Sequence, residues 1–94
     1  MTNKEYYPYK PDYAVHPGEY LEEILDSRAI KKKEFSELLG ISVKHLSRII
    51  HKQAMLTPEL AVRLEGILGI SANIWNNMNA DYSLFHARLN YDSK

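Results

Sequence analysis

Lys44, Ser47, Arg48 and His51 recur three or four residues apart around the stretch FSELLGISVKHLSRII, residues 35–50. At about 100° per residue they fall on one face of a helix, with Leu46, Ile49 and Ile50 on the other. Such a face is cationic and short-chained, and its donors suit the edges of bases and the oxygens of phosphates. Chemistry of this kind requires a helix held at a fixed angle to the body of the protein, and the preceding residues provide for that. Phe35, Leu38 and Leu39 repeat at helical spacing up to Gly40, where a helix commonly closes in a left-handed residue. Ser42 is placed as the N-cap of the next helix, and Ile41 and Leu46 as its hydrophobic staple. The pattern predicts two short helices, at about 32–39 and 43–51, joined by a tight turn.

Two amphipathic helices around a glycine turn also occur in bundles that touch no nucleic acid. Charge separates the readings. Residues 28–54 hold Arg28, Lys31, Lys32, Lys33, Lys44, Arg48 and Lys52 against Glu34 and Glu37, a balance of +5. Residues 1–27 hold Lys4 and Lys10 against Glu5, Asp12, Glu19, Glu22, Glu23 and Asp26, a balance of −4. The overall charge of zero therefore hides a basic patch, whose lysine run opens the first motif helix, where free amides and cations together can hold a phosphate.

Ninety-four residues at 45% hydrophobic content make one domain with a modest core. The chain has no Cys, which excludes disulfides and thiolate metal sites, and no apolar run of signal or membrane-span length, so a cytoplasmic location is expected. His16, His45, His51 and His86 lack a metalloprotease spacing, and no glycine-rich phosphate loop is present. Ser42, Ser47, Ser71 and Ser83 stand in no nucleophile elbow, so neither enzyme activity, nor a metal, nor a cofactor is expected. His16, before Pro17, reads as structural.

Pro8 and Pro11 break residues 1–16 into an extended arm that carries Tyr6, Tyr7, Tyr9 and Tyr13, ahead of a domain over 17–90. A first helix over about 17–28 turns Leu21, Ile24 and Leu25 inward and Glu19, Glu22, Glu23 and Asp26 outward. Thr57 and Pro58 open a fourth helix with Leu60, Ala61, Leu64, Ile67 and Leu68 in one stripe up to Gly69. The tetrapeptide LGIS then recurs at 68–71, a glycine stop and serine cap as at 39–42, with Ile70 set against Trp75. A fifth helix follows over about 72–89, with Trp75, Met78, Tyr82, Phe85 and Leu89 three or four apart. No strand pattern occurs, and the expected fold is all-α with five helices and an extended N-terminal arm.

Three segments carry a family resemblance: HPGEYLEEIL at 16–25, FSELLGISVKHLSRII at 35–50 and LTPELAVRLEGILGISANIWNNMNADYSL at 56–84. Across about residues 14–90 the chain resembles the Xre-type, lambda-repressor-like helix-turn-helix repressors, and among them the HigA-type antitoxins. The resemblance implies a repressor that binds the operator of its own operon and neutralises a cognate mRNA-cleaving toxin of HigB type. A stand-alone regulator of the same fold is the alternative. Val43, Lys44, Ser47 and Arg48 fall at the family's recognition positions and Lys32 at a phosphate contact; with Ser42 and His51 they form the expected DNA-binding set. Lys32 replaces the Gln common at its position, and His51-Lys52 replaces the usual Asn-Gly, so the end of the recognition helix is expected to extend or fray. A homodimer is expected, reading two half-sites about 34 Å apart, with Trp75, Met78, Tyr82, Phe85 and Leu89 as its seam. For the toxin, the expected surface is the arm, with Tyr6, Tyr7, Tyr9 and Tyr13, together with Glu19, Glu22 and Glu23 of the first helix.

Overall fold

The computed structural model describes residues 14–92, and the arm tyrosines Tyr6, Tyr7, Tyr9 and Tyr13 lie outside the described residues. Five helices follow in order, α1 (Pro17–Ser27), α2 (Lys32–Leu39), α3 (Val43–Ile50), α4 (Pro58–Leu68) and α5 (Ala72–Asp92), with no strand among the described residues. Their boundaries follow from local capping. Gly40 and Gly69 close α2 and α4 in the left-handed region at φ 81° and 79°. Ser42 accepts from the His45 amide at 3.0 Å, and Thr57 from the Leu60 amide at 3.2 Å.

Leu21 and Leu25 of α1, Phe35 and Leu39 of α2, Leu46 and Ile49 of α3, Ala61 and Leu64 of α4 and Trp75 of α5 meet in one fully buried cluster. Leu38 departs from the expected stripe and is 65% exposed. In α2 the inner face is completed by buried Ser36, whose hydroxyl donates to the Lys33 carbonyl at 2.8 Å, which leaves Leu38 pointing to water. The outward position of a single leucine needs no further cause.

The start of α1 lies hard against α3. A Cβ built on Gly18 would lie 1.9 Å from the Ile49 carbonyl oxygen and 3.0 Å from the Ile50 Cα, so the first turn of α1 rests directly on the backbone of α3. Only a residue without a side chain permits that approach. His16 holds the same turn from the other side. Fully buried, it is the N-cap of α1, and its Nδ1 accepts from the Gly18 amide at 2.9 Å. Its ring stands edge-on to Tyr82 of α5, 4.7 Å between centroids and 85° between planes. Burial pushes the His16 pKa below its ordinary value of 6.5; Lys52 and His86 push the same way, and Glu19 opposes them.

Gly18→Ala is expected to destabilise the fold by at least about 2 kcal/mol, seen as a lower denaturant midpoint, because backbone rather than a flexible side-chain tip must yield. The lowered His16 pKa has a second consequence. An unfolded chain takes up a proton at His16 at higher pH than the folded one does, so the stabilisation is complete above pH 6.5 and is lost as pH falls from there through the folded value. Urea midpoints measured between about pH 8 and about pH 5 should therefore fall, and His16→Asn, which keeps a capping oxygen but does not titrate, should flatten that decline.

Candidate nucleic-acid interface

The turn between α2 and α3 is fixed by three sets of bonds. The Gly40 amide donates to the Ser36 and Glu37 carbonyls at 2.9 and 3.2 Å, and the Ile41 amide to Ser36 at 3.0 Å, which satisfies two of the free carbonyls at the end of α2. From α4, Arg63 donates through Nη1 to the Leu39 carbonyl at 3.0 Å, while its Nη2 donates to Glu59 Oε2 at 2.8 Å. The guanidinium thus ties α4 to the last turn of α2, beside Gly40. Nothing local in the sequence marks this residue, since its partner lies 24 positions earlier.

Helix α3 divides sharply. Leu46, Ile49 and Ile50 are buried, while Val43, Lys44 and Arg48 are exposed and Ser47 is half-exposed. Its N-cap Ser42 is exposed, with its oxygen already accepting the His45 amide. His51 folds back along the helix: its Nδ1 is 2.8 Å from the Ser47 carbonyl and 3.1 Å from the Ser47 hydroxyl. A carbonyl only accepts, so Nδ1 carries the proton, and Ser47 and His51 form one polar unit.

The helix neither extends nor frays, contrary to the expectation from His51-Lys52. His51 is its C-cap, and Lys52 takes the left-handed conformation itself, at φ 66°. The Lys52 amide donates to Ile49 at 3.1 Å and the Gln53 amide to Arg48 at 2.7 Å, the bonding of a Schellman motif. Ala29 does the same after α1 at φ 57°, with amide bonds from Ala29 to Asp26 and from Ile30 to Leu25. In both turns the two bonds hold a conformation that a side chain ordinarily disfavours.

Lys32, at the start of α2, pairs with Glu22 of α1 at 3.3 Å, and Lys52 with Glu19 at 3.6 Å. Lys31, Lys33, Lys44 and Arg48 have no carboxylate partner among the described residues. These four cations lie on the outer face of α3 and at the N-terminus of α2, where Lys31 is an N-cap without a side-chain bond to the helix amides. This combination of exposed donors, free amides and uncompensated positive charge can bind polyphosphate backbones and present Arg48 to base edges. Of the acidic side chains expected to meet a toxin, Glu19 and Glu22 are thus engaged with lysines, and Glu23 is exposed.

Helix α5 corrects part of the expected seam. Trp75 is fully buried against Tyr20, with ring centroids 5.4 Å apart, so it belongs to the core of its own chain and cannot line a surface between two copies. Met78, Tyr82 and Phe85 are half-buried, and only Leu89 of the set is largely open, alongside exposed Leu84 and Tyr91. Among the described residues, no group of three or more His, Cys, Asp or Glu is placed to hold a metal ion, and no helix is long and apolar enough to cross a membrane.

This geometry defines a helix-turn-helix protein of the Xre type, with α2 and α3 as the motif. Residues 21–75 match the Helix-turn-helix family, and the chain belongs to it. It is 33% identical over 76 residues to the uncharacterized HTH-type transcriptional regulator YddM of Escherichia coli K12, covering 81% of each chain. In structure it is similar to a Nostoc punctiforme protein assigned as an antidote of a plasmid maintenance system. That match has a TM-score of 0.83 and 31% identity and covers 86% of this chain and 89% of the other. It is also similar to the antitoxin HigA of Pseudomonas aeruginosa, solved with the higBA promoter, with a TM-score of 0.78, 29% identity and coverage of 84% and 87%.

Arg63→Met keeps the apolar stem but removes the donor to Leu39. It is expected to lower stability by about 1 kcal/mol, a shift of about 4–8 °C in melting temperature, whereas Glu59→Gln, at an exposed pair, should cost under about 0.5 kcal/mol.

Proposed function

We propose that this protein is the DNA-binding antitoxin of a type II toxin–antitoxin module: it represses its own operon by binding a specific operator and neutralises a cognate mRNA-cleaving toxin of HigB type. The observation that carries the proposal is the outer face of α3, where Lys44 and Arg48 stand exposed without carboxylate partners among the described residues, beside Val43 and Ser47. Similarity to a HigA antitoxin solved with its promoter supports the same reading. In this proposal Val43, Lys44, Ser47 and Arg48 face the bases, Lys32 and the first amides of α2 take a phosphate, and Ser42 and His51 flank them. The protein acts in the cytoplasm and is not an enzyme.

A single eight-residue helix makes few base contacts, so the active form is a homodimer reading two half-sites about 34 Å apart. With Trp75 withdrawn into the core, the seam falls to the outer side of α5, to Phe85 and Leu89 with Leu84 and Tyr91, flanked by Met78 and Tyr82. The toxin meets Glu23 and the arm tyrosines. A second reading, a transcriptional regulator without a toxin, is favoured by the similarity to YddM. Co-expression with the neighbouring reading frame separates the two, since growth arrest by that frame and rescue by this chain belong only to the antitoxin.

Gel-shift titration against the upstream region tests the shared DNA-binding core of both readings. Arg48→Ala should lose about 1–3 kcal/mol of operator affinity and relax preference at one base pair, because a guanidinium can bond guanine O6 and N7 together. Lys32→Ala should weaken binding to operator and random duplex alike and reduce the salt slope by about one. Equal losses by both variants on both duplexes would sink this division of roles.

A further inference from the structure

Within α2, α3 and their flanking turns, Lys31, Lys33, Lys44 and Arg48 have no carboxylate partner among the described residues, whereas Lys32 is held by Glu22 and Lys52 by Glu19. The held pair marks the two ends of the motif, Lys32 in the first turn of α2 and Lys52 in the turn that closes α3. Both partners come from α1. Glu19 and Glu22 are three residues apart and so share one side of that helix, and Glu19, in its first turn, is favoured as an anion by the helix dipole. All four side chains are between 41% and 48% exposed, so the pairs form in water, are worth little, and open readily when a stronger anion arrives. A DNA backbone supplies that anion as a dense row of phosphates.

We propose that Glu19 and Glu22 of α1 compete with DNA phosphates for Lys52 and Lys32, so that α1 damps the affinity of the motif for DNA of every sequence while leaving the base-facing cations free. This inference rests on the DNA-binding reading above. Each lysine must leave its carboxylate before it can neutralise a phosphate, and the carboxylate left behind repels the approaching strand. The damping acts on phosphate contacts alone, since Lys44 and Arg48 have no acidic partner among the described residues. Lys52 is a suitable target for such control because its backbone is fixed at φ 66° by the bonds that end α3.

The test is fluorescence-anisotropy titration of the full chain with a duplex of its upstream region and with a random duplex, at several salt concentrations. Glu22→Gln and Glu19→Gln should each tighten binding to both duplexes about two- to five-fold at about 0.1 M salt, with a gain that shrinks as salt rises. Glu65→Gln, the same change of charge at an exposed position of α4, should give no comparable gain. In a Lys32→Ala background the gain from Glu22→Gln should vanish. A wild-type chain that binds neither duplex overturns the DNA-binding reading and this inference with it. Binding by the wild type that is no tighter in either glutamine variant overturns this inference alone, as does an equal gain from Glu65→Gln or a gain that survives Lys32→Ala.

Discussion

The contact between the backbone of α1 at Gly18 and the backbone of α3 at Ile49 sets the position of everything that faces outward. An eight-residue helix has no independent stability in water, so α3 exists as a helix only because its neighbours hold it. The approach of α1 fixes its height and tilt in a way side-chain packing alone would not, because a backbone contact has no rotamers through which to adapt. His16 secures the same turn by capping it, Leu46 and Ile49 fill the space beneath, and Arg63 holds the preceding turn from α4. Each of these restraints acts on the backbone or on a fully buried side chain, and together they hold the outer face of α3 in place.

Much of this was legible in the sequence because helix ends are written locally. Gly40, Ser42, Thr57, Pro58 and Gly69 each act within a few residues of where they stand, and each marks a boundary seen in the structure. Where the signal was a missing glycine, it misled. The turn at Lys52 adopts left-handed geometry with a side chain present, because two backbone hydrogen bonds outweigh a local preference. Leu38 and Trp75 misled in opposite directions: periodicity gives a helix face but not which neighbour, if any, covers it, so one apolar residue proved open and another wholly enclosed. The clamp from Arg63 and the pairs from Glu19 and Glu22 join different helices, and such contacts have no local pattern to read.

Overall neutrality is likewise a matter of arrangement. Acidic α1 lies against the basic motif, so part of the opposite charge is consumed within the fold, while Lys31, Lys33, Lys44 and Arg48 of the motif keep theirs. A surface built this way keeps local positive charge for a nucleic acid without the general stickiness of a strongly basic chain.

The clean division of α3 has a consequence for how such proteins diversify. Leu46, Ile49 and Ile50 bind the helix to its own domain, while Val43, Lys44 and Arg48 are exposed and Ser47 is half-exposed. The fold and the chemistry of the outer face are therefore separable traits. Duplicated copies can drift apart at the outer positions and become mutually orthogonal within one genome, each silent at the other's site, without passing through an unfolded intermediate.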